Sequence, residues 1–301
     1  MTNKRNPDNG RLYQASTHLE FVDVEFHGGQ TFVSGSSRSR RSKILEWIST
    51  TPYTSHHKRI SDGRLEGTCE WIFENAEYCA WRTSGVSMLL LLRGIPGAGK
   101  TYTASRVIDY FRSNPTPGGL AYFYCNRAEE NRRDPESILS TLVQQLAQTS
   151  EAELLKPVVD VYHDREKKGQ ISARLSITES QDLLVQFTDL YPQTTICIDA
   201  LDEIDHQIRI VFLKTLRHVM ERSKNLVKIF ATTRMDPDIL LQFEKFPRIE
   251  LQPDDNIADI SEFVEKTVQN VIDDKQLLYG NVPDDLKGQI CDTLCKRAKG
   301  M

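Results

Sequence analysis

The chain has 301 residues, of which 39% are hydrophobic and 27% charged, and its formal net charge is −4. This composition supports a sizeable buried core and excludes a collagen-like or wholly disordered chain. The slight acidic excess argues against nucleic acid as a partner, because phosphate-binding surfaces usually carry a basic excess. Neither a transmembrane segment nor a signal peptide is recognisable, so the sequence predicts a cytoplasmic protein. Its six scattered cysteines are predicted to be buried free thiols.

The first part of the chain differs from the rest. Residues 18–34 hold two β-prone runs around a Gly-Gly pair, which predicts a β-hairpin that needs a partner surface or a second copy of itself. Residues 36–43, SSRSRRSK, are polar and basic and predict a solvated linker; a nuclear-import or phosphate-binding patch is the alternative. We therefore predict a variable N-terminal segment with a basic linker over residues 1–42.

Strand and helix patterns alternate along the rest of the chain. A near-continuous apolar run predicts a parallel strand buried on both faces over 86–93. Further strands are predicted over 120–125, 194–198 and 227–232, with a short fifth over 248–251. Amphipathic spacing predicts helices from 42, from 68 (capped by Thr68), over 100–112, from 134, over 151–168, 179–190 and 206–222, after 253 and from 283. His56 and His57 are expected in a loop or on a helix surface. This order predicts an α/β fold, a parallel sheet flanked by helices, with a helical extension at the C-terminus.

A glycine-rich segment follows the first predicted strand. Residues 94–101, GIPGAGKT, match the phosphate-binding loop G-x-x-x-x-G-K-[ST] between a buried strand and a helix, as its mechanism requires. Glycines let backbone N–H groups point at phosphate oxygens, and the helix N-terminus adds positive charge. Lys100 is predicted to reach the β- and γ-phosphates, and the Thr101 hydroxyl to ligate Mg²⁺. The predicted nucleotide-binding residues are Gly94, Ile95, Pro96, Gly97, Ala98, Gly99, Lys100, Thr101 and Tyr102.

A second motif, TICIDALDE, covers residues 195–203. It places Asp199 at the carboxyl end of a predicted strand, where ligands bind in open α/β sheets. Asp199 is therefore predicted to hold Mg²⁺, directly or through water. Asp202 and Glu203 are candidates to orient the attacking water, and their spacing does not separate them. The alternative is that these acids cap the following helix.

A third polar group ends the next strand. Residues 229–234, IFATTR, bring Arg234 to the same predicted edge of the sheet. An arginine there is suited to sense the γ-phosphate or to stabilise its charge in the transition state. The alternative is a surface arginine paired with Asp236 or Asp238.

The motifs resemble those of a known family. The loop at 94–101, DALDE at 199–203 and TTR at 232–234 resemble the NACHT class of signal-transducing P-loop NTPases, in which a small residue follows the Mg²⁺ aspartate and two acids lie close behind. The preceding segments, ILEW at 44–47, GTxxWI at 67–72 and Trp81, together with 256–268, resemble the nephrocystin-3-like N-terminal NTPase domain of fungal NOD-like receptor proteins. The resemblance covers about residues 43–301.

The resemblance implies a nucleotide switch. Such proteins join a variable N-terminal effector to the NTPase and then to ankyrin, WD or tetratricopeptide repeats; ATP favours an open, oligomer-forming state and ADP a closed one. It also implies roles in fungal self/non-self recognition and cell death. It would place Gly67 and Thr68 near the adenine; the alternative, which we prefer, is a helix cap with Trp71 packed in the core. Two features differ: no repeats or complete winged helix follow, so the chain looks like a fragment, and two residues separate Arg234 from Pro237.

Together these observations predict an NTPase core over 43–253 and the start of a following helical domain over 254–301. The expected function is a regulatory switch that binds ATP or ADP with Mg²⁺, prefers ATP to GTP, hydrolyses it slowly and self-associates when ATP is bound. A scaffold that binds nucleotide without turnover is one alternative. A motor or nucleic-acid-remodelling ATPase is the other, but the basic strip with interleaved aromatics that it needs is not visible.

Overall fold

The computed structural model describes residues 36–114, 118–148, 153–252 and 255–298. A five-stranded sheet lies at its centre, with all neighbouring strands parallel and the order β2-β3-β4-β1-β5. The strands are β1 (Met88–Gly94), β2 (Gly119–Tyr124), β3 (Gln193–Asp199), β4 (Leu226–Thr233) and β5 (Arg248–Leu251). All five strands predicted from the apolar runs are present, with ends shifted by one or two residues.

Thirteen α-helices are found in the described ranges. They are α1 (Ser36–Ile48), α2 (Tyr53–Gly63), α3 (Trp71–Glu74), α4 (Ala76–Thr83), α5 (Lys100–Ser113), α6 (Glu130–Arg133), α7 (Pro135–Leu146), α8 (Lys156–Lys167), α9 (Ile177–Thr188), α10 (His206–Arg222), α11 (Pro237–Gln242), α12 (Ile257–Asp273) and α13 (Asp284–Ala298). None of these helices is long and apolar enough to cross a lipid bilayer.

The sheet is covered on both faces. In β1, Leu89 and Leu91 point into a core formed with α1, α7, α9 and α10, whereas Leu90 and Leu92 point into a second core formed with α4 and α5. Successive side chains of a strand face opposite sides, so a strand buried on both sides needs a continuous apolar run. This arrangement confirms the α/β fold with helices on both sides of a parallel sheet.

The region before β1 differs most from the prediction. Helix α1 begins at Ser36, so residues 36–42 are helical and the expectation of a linker there is wrong; the predicted hairpin at 18–34 lies outside the described residues. Helix α2 was not predicted. The helix expected to be capped by Thr68 begins instead at Trp71, and the Thr68 hydroxyl donates to the Leu65 carbonyl.

The C-terminal part is helical, as predicted. Helices α12 and α13 pack against each other after β5. Two side chains at the start of α12 tie it to the rest of the chain: Asn256 Nδ2 donates to the Ala98 carbonyl (3.0 Å), and Asp259 Oδ2 accepts from the Cys69 backbone N–H (2.7 Å). The six cysteines are free thiols, four of them buried, so the prediction of burial is wrong for Cys79 and Cys295, which are half-buried.

Candidate functional site

The loop between β1 and α5 has the shape that its sequence predicts. Gly97 and Gly99 adopt φ angles of 82° and 84°, in the left-handed region where a side chain would add strain. Lys100, the first residue of α5, turns back over the loop, and its Nζ donates to the carbonyls of Gly94 and Ile95, both at 2.7 Å. Burial lowers the pKa of Lys100, and the nearby carboxylates of Asp202 and Asp199 oppose this shift.

Asp199 ends β3 and is only 4% exposed. Its Oδ2 accepts from the Thr101 hydroxyl (2.9 Å), and its Oδ1 accepts from the Thr232 hydroxyl (2.6 Å). Burial raises the pKa of Asp199, and these two hydrogen bonds offset only part of that shift. The carboxylate is thus buried among neutral donors, where a cation would stabilise its charged form.

The donors at this point fit Mg²⁺. A carboxylate and a hydroxyl are hard oxygen ligands, and Mg²⁺ usually takes only one or two protein ligands and completes its shell with phosphates and water. In the described ranges no three His, Cys, Asp or Glu side chains converge to hold a metal by themselves. Thr101 and Asp199 would therefore hold the ion jointly with the phosphates of a nucleotide.

Asp202 and Glu203 lie beside Arg234. Ala200, with φ 58°, turns the chain sharply after β3 into a short 3₁₀ turn that carries both acids. Arg234 follows β4; its Nε lies 3.0 Å from Asp202 Oδ2, and its Nη2 lies 2.9 Å from Glu203 Oε1. The remaining oxygens accept backbone N–H bonds, Asp202 Oδ1 from Arg234 and Glu203 Oε2 from Arg127, both at 3.0 Å. All four carboxylate oxygens are thus engaged.

The alternative structural roles for these residues are wrong. Asp205 caps α10, its side chain accepting from the Gln207 N–H, and neither of the two preceding acids does so. Asp236 and Asp238 form ion pairs with the buried Arg209, at 2.8 and 3.2 Å. Arg234 pairs instead with Asp202 and Glu203.

These side chains line one open cleft of about 560 Å³ at the carboxyl ends of the strands. Of the residues predicted for the site, Gly94 and Ile95 do not line the cleft. Their backbone carbonyls instead accept hydrogen bonds from Lys100 Nζ. The cleft is also lined by Thr232 and, from α2, by Arg59 and Ile60, which the sequence did not single out. For Thr232 a signal existed, since it is part of TTR; α2, which carries the other two, was not predicted.

A second, more apolar pocket of about 190 Å³ adjoins the cleft across Gly97–Gly99 and Tyr102. Its walls come from the segment before α3, including Thr68 and Cys69, and from the start of α12, including Ile260 and Phe263. Asn256 Oδ1 is buried beside it and has no hydrogen-bond partner among the described residues. The pocket therefore has apolar walls, and its free acceptor belongs to the Asn256 amide whose Nδ2 donates to Ala98 of the phosphate-binding loop.

Comparison with known proteins identifies the family. A sequence model of the family described as nephrocystin 3, N-terminal, matches residues 67–234, more than half of the chain. The chain belongs to this family. Vegetative incompatibility protein HET-E-1 of Podospora anserina is 27% identical to this chain over 248 residues, which are 79% of this chain. The chain spans only 17% of the length of that relative.

Solved structures similar to the nephrocystin 3 N-terminal domain include the ORC2 protein of Aeropyrum pernix (TM-score 0.43, 13% identity, 76% of this chain and 68% of that one). DnaA of Aquifex aeolicus is similar with a TM-score of 0.39 and 12% identity, over 79% of this chain and 59% of that one. The fold assignment rests on the strand order and the loop of this chain itself. The strand order, the loop and the family together identify the chain as a nucleotide-binding P-loop NTPase domain of the kind found in fungal NOD-like receptor proteins.

Proposed function

We propose that this chain is the nucleotide-controlled switch of a cytoplasmic NOD-like-receptor-type signalling protein. It binds ATP or ADP with Mg²⁺, hydrolyses ATP slowly, and self-associates when ATP is bound. The observation that carries the proposal is the meeting of Lys100, Thr101 and Asp199 in one cleft that continues into an apolar pocket.

The cleft and the pocket suit the two ends of a nucleotide. The phosphates lie on the loop between Gly94 and Lys100, where backbone N–H groups, the N-terminus of α5 and the ammonium of Lys100 offer positive charge. Bound Mg²⁺, held by Thr101 and Asp199, supplies further positive charge at the phosphates. The base lies in the apolar pocket between Thr68 and α12, where Asn256 Oδ1 can accept from the adenine amino group.

Slow turnover follows from the state of the two acids. A general base must accept a proton from water, but Asp202 and Glu203 already accept from Arg234 and backbone N–H groups at every oxygen. One of these hydrogen bonds has to break before either acid can act on water. Arg234 can move from the acids to the γ-phosphate, which would free an acid and stabilise the charge that develops on the phosphate.

The pocket also suggests how a nucleotide controls assembly. Its walls come partly from the NTPase core (43–253) and partly from α12, which belongs to the helical domain that we place at 254–301. A ligand that contacts both parts stabilises one arrangement of them over others, and so shifts the population between them. The relative named for vegetative incompatibility supports a role in fungal self/non-self recognition or cell death.

The test measures binding, turnover and assembly on one preparation. We expect tight, Mg²⁺-dependent ATP binding, single-turnover hydrolysis that takes minutes or longer, and a larger solution mass with a non-hydrolysable ATP analogue than with ADP. Because every carboxylate oxygen of Asp202 and Glu203 already accepts a hydrogen bond, a second candidate function is a scaffold that binds nucleotide without turnover. Absence of any single-turnover product would decide for that scaffold, and an unchanged mass in the two nucleotides would contradict the switch.

A further inference from the structure

Helix α2 runs along the rim of the site. Its last residue, Gly63, lines the apolar pocket, whereas Arg59 and Ile60, one turn earlier, line the phosphate cleft together with Lys100 and Thr101. The helix therefore brings one further cation, the guanidinium of Arg59, to the cleft where the phosphates are expected.

The cations of this cleft differ in how far their charge is compensated. Arg234 forms ion pairs with Asp202 and Glu203, at 3.0 and 2.9 Å, which compensate its charge. Arg59 is exposed, and no Asp or Glu oxygen of the described residues lies within 4.0 Å of its guanidinium. Its hydrogen-bond partner is His56, whose Nδ1 lies 2.8 Å from Nη2 of Arg59.

His56 is a poor partner for this charge. Partial burial, with the positive charges of Arg132 and Arg59, lowers the pKa of His56 to about 4, so the ring is neutral near pH 7. A neutral imidazole accepts a hydrogen bond at only one of its nitrogens, yet Arg132 also lies against this ring, at 2.6 Å from Nε2. Arg132 has other acceptors, the Tyr124 carbonyl and the Glu129 carboxylate, whereas Arg59 depends on the ring.

The position of Arg59 relative to the phosphate-binding loop is fixed by a buried network. His57, the next residue along α2, is fully buried; its Nε2 donates to Asp109 (2.9 Å), and its Nδ1 lies 2.8 Å from the Tyr124 hydroxyl. Ser61 and Arg64 bond to the same carboxylate of Asp109, both at 2.8 Å. Asp109 belongs to α5, the helix that begins with Lys100, so α2 and the loop are held together.

We propose that Arg59 is a second phosphate-binding residue, which contacts the phosphate chain of the bound nucleotide. The inference rests on the proposed function, because it takes a nucleotide as the occupant of the cleft. A guanidinium without a carboxylate partner is suited to bind phosphate through paired N–H donors. Nucleotide then replaces a neutral imidazole as the partner of Arg59.

The test compares Arg59→Ala and Arg59→Lys with Lys58→Ala, which removes the same charge from the neighbouring exposed position outside the cleft. Calorimetric titration with Mg²⁺ and ADP, or a non-hydrolysable ATP analogue, should show affinity about tenfold or more lower in Arg59→Ala and a smaller loss in Arg59→Lys. Lys58→Ala should stay within about twofold of wild type, because an exposed charge outside the cleft is screened by salt. Adenosine, which lacks phosphate, should bind all four proteins equally.

Four outcomes would overturn the inference. Equal nucleotide affinity in Arg59→Ala and Lys58→Ala would reduce Arg59 to a surface charge, and an equal loss of adenosine and ADP binding would make its role structural. If the wild-type protein bound no nucleotide, the proposed function would fail with it. Loss of ATP binding in Lys100→Ala alongside normal binding in Arg59→Ala would leave the proposed function intact and remove only Arg59 from the site.

Discussion

Lys100 is a charged residue whose ammonium donates to two loop carbonyls. Because burial lowers its pKa, the fold bears a cost for keeping this ammonium charged, and that cost offsets the two hydrogen bonds. Lys100→Ala should therefore change the free energy of unfolding by no more than about 1 kcal/mol. It should lower ATP affinity by about 100-fold or more, since it removes a charge placed on the phosphates.

Calorimetric titration and urea denaturation of the same Lys100→Ala protein check both parts. Unchanged ATP affinity in a folded variant would remove the loop from the site altogether. A large loss of stability would instead show that the two carbonyl contacts hold the loop in shape.

In Asp199, burial by the fold disfavours the negative charge that binding of Mg²⁺ needs. Burial raises the pKa of Asp199, so the fold disfavours its charged form. Asp199→Asn keeps the shape and can still accept a hydrogen bond from Thr101 or Thr232. The free energy of unfolding without nucleotide should then be no lower than in wild type, whereas the site loses a ligand for Mg²⁺.

The measurement for Asp199→Asn is the ratio of ATP affinities with Mg²⁺ and with a chelator. We expect a ratio of about ten or more in wild type and close to one in the variant, because the metal links this carboxylate to the phosphates. If the variant kept the wild-type ratio, Mg²⁺ would be held without Asp199.

Among the elements, helix α2 has one fully buried side chain, and that side chain is the polar His57. His57→Phe keeps a ring of similar size but leaves the Tyr124 hydroxyl and the Asp109 carboxylate each short of a partner. Asp109 is half-buried and keeps its bonds to Ser61 and Arg64, whereas the buried Tyr124 hydroxyl loses its partner. A buried polar group without a partner costs about 1–3 kcal/mol, so urea denaturation should show a loss of about that size. Lys58→Ala, exposed on the same helix, should stay within about 0.5 kcal/mol of wild type. Equal stability of His57→Phe and wild type would show that α2 is held by its other contacts.

The same helix shows why part of the fold could not be predicted. The internal strand β1 was predictable because it is an apolar run buried on both faces, whereas β5 alternates exposed and buried residues. In α2, by contrast, the one fully buried side chain is His57, and a pattern of apolar residues cannot detect a helix held by polar contacts. Thr68 was a good local signal for a helix start, but the backbone after it turns to donate from Cys69 to Asp259, 190 residues away.

In the site, too, some residues could be placed from the sequence and others could not. The loop at 94–101 and Asp199 are specified by short motifs next to strands, so their positions followed from sequence. The partners of Arg234 did not: Asp202 and Glu203 lie about thirty residues earlier in the chain, closer in sequence to helix α10 than to Arg234. Only the neighbouring positions of β3 and β4 in the sheet bring the arginine onto both acids.

In the proposed switch, Asp202 and Glu203 are the link between hydrolysis and assembly of the whole molecule. If Asp202 positions the attacking water, its effect falls mainly on the transition state, and ATP binding is spared. Asp202→Asn should then keep wild-type ATP affinity and lower single-turnover hydrolysis by about 100-fold. Asp205→Asn is a matched control, since it removes a charge three residues further on and an asparagine still caps α10.

For a switch, the consequence is a change of assembly. Hydrolysis is the step that ends the ATP state, so Asp202→Asn should remain loaded with ATP and keep the larger solution mass long after wild type and Asp205→Asn have returned to the ADP form.

Affinity, turnover and mass measured on the same three proteins separate the possibilities. Normal turnover in Asp202→Asn would move the role to Glu203, to be checked with Glu203→Gln. Normal turnover in both would leave the two acids only the task of holding Arg234. Slow turnover without prolonged assembly would separate hydrolysis from self-association, because the ATP state would then persist without the larger particle.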